Sequence, residues 1–186
     1  NPFGPSFGDL QIPDNTFIAH MEGASPMANP GKAILESLSA PIASESLAKI
    51  AKSKKDAKKA AKAVIVVSDN TRPVPYKGEE GILMPVIDTL MDAGFKADEI
   101  TVLIATGMHR PMAEGEIRSM LDSRVFDLGI KVVNHEPKND ARLSFLGMTK
   151  RGTKVMIDSV YTEADLKIAT GLVESHFMAG TSGGRK

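Results

Sequence analysis

From Ala63 onward the chain alternates wholly apolar runs with amphipathic ones. "AVIVV" is followed by "EEGILMPVIDTLMDAG", whose apolar residues recur at helical spacing and stop at Gly94. "ITVLIAT" is followed by "MAEGEIRSML", a short helix. "IKVVNH", "RLSFLGM", "KVMID" and "LKIATG" read as further short strands. Strands that are apolar throughout and separated by helices belong in a parallel sheet covered on both faces. The expected fold class is therefore α/β, with a Rossmann-like, mostly parallel sheet and helices on both sides.

The first 62 residues follow a different pattern. "NPFGPSFGDLQIPDN" is rich in Gly and Pro and reads as an irregular arm, and "TFIAHM" reads as a short strand. "KAILESL" and "SESLAKIAKSKKDAKKAAKA" are helical by composition, with Ser44 or Ser46 as the cap. The lysine run from Lys49 to Lys62 alternates with alanine and contains no aromatic, which describes a solvated helix face better than a nucleic-acid site. The expected division is residues 1–62 as arm and helices and residues 63–186 as the α/β domain, incomplete at its C-terminal end. Asn1 at the start and a Gly-rich turn ending on Lys186 read as trimmed ends.

Composition narrows the function. The 186 residues carry 23 basic and 23 acidic side chains, a balance that steers the chain toward neither nucleic acid nor a membrane surface. No run approaches the roughly 20 apolar residues of a membrane span, and no signal peptide opens the chain. Cysteine is absent, which excludes disulfides and thiolate metal sites and makes a cytoplasmic setting the expectation.

Ligands of doubly wound sheets bind beyond the carboxyl ends of the strands. There "AVIVV" runs into "SDNTRPVP", "ITVLIAT" into "GMHRP", and "LKIAT" into "GLVESHFMAGTSGGRK". Taken singly, Asp69 and Asn70 suit a turn, Arg72 a surface, His109 a loop and Gly183–Gly184 a tight bend. Taken together, the tips gather Asp69, Arg72, His109, His176 and Lys186 around one crevice. Imidazole suits proton transfer near neutral pH, the arginine fork suits a carboxylate or phosphate, and a Gly-rich turn offers N–H groups to an anion. The set suits a small anionic substrate that gains and loses a proton beside a phosphate-bearing cofactor. His20 and His135 have no such neighbours and read as structural or exposed. His109, His135 and His176 lack the short spacing of compact zinc sites.

"SDNTRPVP", "ATGMHRP" and "ESHFMAGTSGGRK", in this order, resemble the nickel-dependent lactate racemase family from about Val64 to Lys186. The resemblance implies an enzyme that racemises or epimerises a small 2-hydroxy acid by reversible hydride transfer. It implies a pyridinium mononucleotide, a nickel-pincer cofactor binding nickel through a carbon and two sulfurs, tethered to Lys186. It further implies His109 and His176 as acid/base groups and Arg72 as the substrate-carboxylate ligand. Asp69, Thr71, Ser182, Gly183 and Gly184 are implied as cofactor-binding residues. The metal-ligating histidine and a closing second domain are implied beyond residue 186, so no metal ligand is assigned within this chain. The expected partners are the 2-hydroxy acid and the cofactor-synthesis enzymes. Thr181 departs from the family pattern, which has an aromatic there, and implies a smaller or more polar wall and a 2-hydroxy acid other than lactate. Two other readings stay open: a non-catalytic nucleotide- or phosphate-binding module, although "TSGGRK" lacks phosphate-loop spacing, and a zinc hydrolase.

Overall fold

The computed structural model describes residues 11–18, 23 and 25–183. In chain order the elements are α1 (Pro30–Ser39), α2 (Leu47–Ala57), β1 (Ala63–Ser68), α3 (Leu83–Asp92), β2 (Ile100–Ala105), α4 (Glu114–Met120), α5 (Ser123–Asp127) and β3 (Lys131–Asn134). They continue with β4 (Leu143–Met148), β5 (Lys154–Asp158), α6 (Ser159–Glu163), β6 (Leu166–Ala169), β7 (Ser175–His176) and β8 (Gly180–Thr181).

The apolar runs become a four-stranded parallel sheet ordered β3-β2-β1-β6. Strand periodicity divides each run between two layers. Ile65 and Val67 of β1 and Val102 and Ile104 of β2 join one core with Leu83, Ile87 and Leu90 of α3 and Ala51 of α2. Val64 and Leu103 face the other way, onto Ala164 and onto Val160 and Tyr161 of α6. The expected parallel sheet with helices on both faces is thus present. Each fully buried aliphatic side chain, such as Ile65, contributes about 1.5–3 kcal/mol.

Three local expectations need correction. The segment 44–63 is helical only over α2. Ser46, not Ser44, caps it, accepting from the Lys49 amide at 3.3 Å. Beyond Ala57 the carboxylate of Asp165 takes the Lys58 ammonium at 2.9 Å and the Lys62 amide at 2.9 Å, and this turns the chain into β1 against its own helix propensity. "RLSFLGM" and "KVMID" do form strands, but they pair with each other as an antiparallel hairpin apart from the main sheet, with a bulge between Phe145 and Gly147. Their mixture of half-buried and exposed positions, strictly alternating along most of β5, suits a one-sided ribbon, not a doubly covered strand. Thr16–Ile18 has no regular structure, and the rest of "TFIAHM", including His20, lies outside the described residues.

The lysine run is more than a solvated face. Lys49 and Lys52 do pair with Glu45 and Asp56 at the surface, but Lys55 turns inward onto Glu99 at 2.8 Å, with both side chains largely covered. The Lys55 hydrogen bond and the Lys96 amide hold the Glu99 carboxyl below its ordinary value. A carboxyl lowered on folding contributes stability above its unfolded value and loses it as pH falls through the folded one. Lys55→Ala is therefore expected to cost about 1–3 kcal/mol at neutral pH in denaturant unfolding. The difference from the parent should shrink in acid as Glu99 protonates.

Candidate functional site

The strand order makes the site. The chain leaves β1 toward β2 and β3 on one side and returns to β6 on the other, so a crevice opens where the connections diverge. A cavity of about 260 Å³ lies there. It is lined by Ser68, Asp69, Thr71 and Arg72 after β1, by Thr106, Gly107 and His109 after β2, and by Thr170, Gly171, Ser182 and Gly183 after β6.

Its floor is a single directed chain of hydrogen bonds. The Thr170 hydroxyl donates to the Val66 carbonyl at 2.7 Å, so the fully buried Tyr76 hydroxyl donates to Thr170 at 3.0 Å. Tyr76 in turn accepts the Ser68 amide at 2.8 Å. The neighbouring tip is pinned in the same way, with the Thr106 hydroxyl donating to the His135 carbonyl at 3.0 Å. Both threonines stand in the sequence Ile-Ala-Thr-Gly, at 104–107 and 168–171. That echo is the signal by which sequence reading could have found them.

Asp69 is buried at the centre of the site, 5 % exposed. One carboxylate oxygen accepts the Thr71 amide at 3.1 Å and its hydroxyl at 2.5 Å, and the other meets Nδ1 of His109 at 2.5 Å. Burial pushes the Asp69 carboxyl upward, but hydrogen bonds from Thr71 and His109 outweigh it and leave the carboxyl below its ordinary value. An ionised carboxylate is acceptor-only, so His109 donates Nδ1–H and, when neutral, presents the Nε2 lone pair. Gly107, at φ +55°, lets the loop turn so that the His109 amide reaches the Thr106 carbonyl at 2.9 Å. Among the described residues the Arg72 guanidinium hydrogen-bonds only to the carbonyl and hydroxyl of Thr71, at 3.2 and 3.4 Å, and has no carboxylate partner. Arg110, by contrast, is held bidentately by Glu116 at 2.6 and 2.7 Å, and this pair lowers the Glu116 carboxyl to about 2.

The other expected site residues divide. Asp69, Thr71, Arg72, His109, Ser182 and Gly183 share the cavity. The Ser182 hydroxyl donates to the Leu172 carbonyl at 3.0 Å and accepts the Glu174 amide at 3.1 Å, which ties the two arms of the last loop together. Gly183, at φ +97°, lies so close to that loop that a Cβ would come within 2.9 Å of the Leu172 carbonyl oxygen. His176 sits on the β7–β8 hairpin, outside the cavity lining. Its Nδ1 accepts the amides of Met178 and Ala179 at 3.2 and 3.1 Å, so the neutral ring carries its proton on Nε2. Gly184 and Lys186 lie outside the described residues. His135, read from sequence as structural or exposed, is half-buried and paired through Nδ1 with Asp158 at 2.9 Å. No group of three metal-ligating side chains occurs among the described residues, and no helix there is long and apolar enough to cross a membrane.

The fold and site define an α/β protein whose imidazole–carboxylate pair and unpaired arginine share the switch-point crevice. Comparison with known proteins gives the family. The model for the lactate racemase N-terminal domain matches residues 3–186, and the chain belongs to that family. A lactate racemase of Thermoanaerobacterium thermosaccharolyticum is 31 % identical over the whole chain, which spans 42 % of that relative. A lactate racemase of Lactiplantibacillus plantarum is 34 % identical over 81 % of the chain and 33 % of its own length. The solved structure of the Thermoanaerobacterium lactate racemase apoprotein superposes with a TM-score of 0.73 at 31 % identity, over 84 % of this chain and 35 % of that one. The chain therefore spans less than half the length of these relatives.

Asp69→Asn tests the electrostatics of the site. Because the folded carboxyl is lowered, its contribution is complete above the unfolded value and fades as pH falls through the folded one. The substitution is expected to cost about 1–3 kcal/mol at pH 7 and progressively less in acid, as read from unfolding curves across pH.

Proposed function

We propose that this chain supplies the cofactor- and proton-handling part of a racemase or epimerase acting on a small 2-hydroxy acid. The observation that carries the reading is the Asp69–His109 pair, aimed into the switch-point crevice beside the unpaired Arg72. In this reading the Arg72 fork binds the substrate carboxylate bidentately and keeps the acid from leaving between half-reactions. His109 accepts the 2-hydroxyl proton at Nε2 and later returns it, while Asp69 stays ionised and stabilises the transient imidazolium. His176 is the second acid/base group, one for each hand of the substrate. To take a proton at Nε2 its ring must first release the hairpin amides from Nδ1.

The residues present fit a phosphate-bearing pyridinium cofactor. Ser68 lends a hydroxyl-bearing side chain to the lining, and a Cβ on Gly107 would enter open space with no atom within 4 Å, which leaves room for the group against the backbone. In the reading proposed here the nickel-pincer nucleotide would be joined to Lys186, and Thr71, Gly107 and Gly183 would be among the residues that hold it. When bound, it supplies the acceptor for the C2 hydride.

Three measurements test this reading on the intact enzyme made together with its cofactor-synthesis enzymes. Peptide mass spectrometry is expected to find an added mass on Lys186, and an unmodified lysine in active enzyme contradicts the tether. His109→Ala is expected to lower kcat by about 10²–10⁴ in both directions. Arg72→Lys should raise KM more than it lowers kcat, because the planar fork is lost.

A further inference from the structure

A second imidazole–carboxylate pair stands beside the first. His135 follows β3, and its amide donates to the Ile104 carbonyl at 3.0 Å while its own carbonyl takes the Thr106 hydroxyl at 3.0 Å. Its Nδ1 meets Asp158 at 2.9 Å. Asp158 is 4 % exposed and engages its other oxygen with the Val160 amide at 2.9 Å. This is the arrangement of Asp69, whose second oxygen holds Thr71. With a carboxylate on Nδ1, the neutral His135 ring presents an Nε2 lone pair.

That ring and His109 line a common cavity of about 550 Å³ on the far side of the Met108–Pro111 loop, together with Arg110, Glu136 and Lys138. Most charges there are already matched. Arg110 is held by Glu116, and the Glu136 oxygens take Arg142 at 3.1 Å and Asn139 at 2.8 Å. Lys138 forms no ion pair among the described residues. The uncommitted groups beside His109 are therefore one acceptor, His135 Nε2, and one donor, the Lys138 ammonium.

We propose that this crevice is a subsite for an additional hydroxyl group on the substrate, so that the preferred 2-hydroxy acid is a polyhydroxy acid. The proposal rests on the racemase reading above and names the substrate class of that site. A hydroxyl donates one hydrogen bond and accepts others, which matches an imidazole lone pair and an ammonium together. A carboxylate has no proton to donate and would leave the His135 lone pair unmatched. An alkyl group would strip water from His135 and leave Nε2 without a partner. The C2 hydroxyl at His109 puts the next carbons of the substrate at the border of the two cavities, since His109 lines both.

The test uses the intact, cofactor-loaded enzyme with lactate, glycerate, a four-carbon sugar acid and malate. The expected result is a kcat/KM for the polyhydroxy acids about tenfold above that for lactate, the equivalent of one net hydrogen bond. His135→Asn keeps an amide for Asp158 but withdraws the ring, and Lys138→Met changes only an exposed position. Each should shrink the polyhydroxy preference through KM while lactate turnover stays near the parent value. Nitrogen NMR of His135 should show its Nε2 signal move with glycerate but not with lactate. A preference for lactate or malate, or a preference unchanged in Lys138→Met, overturns the subsite and leaves the racemase reading standing. Failure to racemise any of these acids overturns both.

Discussion

The contact between Asp69 and His109 is the constraint from which the site's chemistry follows. A buried carboxylate is costly unless every oxygen is matched, and Asp69 meets that demand with Thr71 on one side and an imidazole on the other. The match fixes the ring's tautomer and leaves Nε2 as its single uncommitted nitrogen. It also links the loops after β1 and β2, since neither donor nor acceptor belongs to the same turn. Glu116 reinforces the link from outside by fixing Arg110 and capping α4 through the Ala113 amide at 2.8 Å. Arg72 is left as the cation available to an anionic ligand.

Strand order decides where this chemistry can occur. Placing β1 between β2 and β6 brings the tips of all three to one rim, and the Tyr76–Thr170–Val66 chain keeps the end of β6 registered on β1. The rigidity needed to hold an imidazole in place therefore comes from the buried floor and not from the exposed loops. The hairpin carrying His176 is a separate small ribbon, attached to the rim through Ser182 and the close approach of Gly183. A ring held on a ribbon can change its hydrogen bonds without disturbing the sheet, and the proposed role of His176 requires that freedom.

Much of this was legible in the sequence where burial alone sets the outcome. Val64–Val67 and Val102–Ile104 are apolar on both faces because both faces are covered, and they announced the parallel sheet. The position of Asp69, Arg72 and His109 immediately after such runs announced the crevice. Contacts between distant residues were not legible. Asp165 stops α2 from across the sheet, and Asp158 reaches His135 from another element. Short α5 and α6 show no periodicity and are marked only by their aspartate caps, Asp122 and Asp158. The strand character of β4 and β5 is visible in sequence but their separation as a ribbon is not, because pairing depends on partners and not on propensity. Nor does sequence show that Asp69 engages both of its oxygens within the chain, with Thr71 and with His109.

Proton handling in the crevice depends on His109 presenting a bare Nε2 because Asp69 holds the proton on Nδ1. Nitrogen-15 NMR of the histidine rings in the intact enzyme at neutral pH reads this directly. The account predicts that neutral His109 is the Nδ1–H tautomer, with a strongly downfield Nδ1 proton that is lost in Asp69→Asn. A His109 ring protonated on Nε2 with a bare Nδ1, or one indifferent to Asp69→Asn, would contradict it.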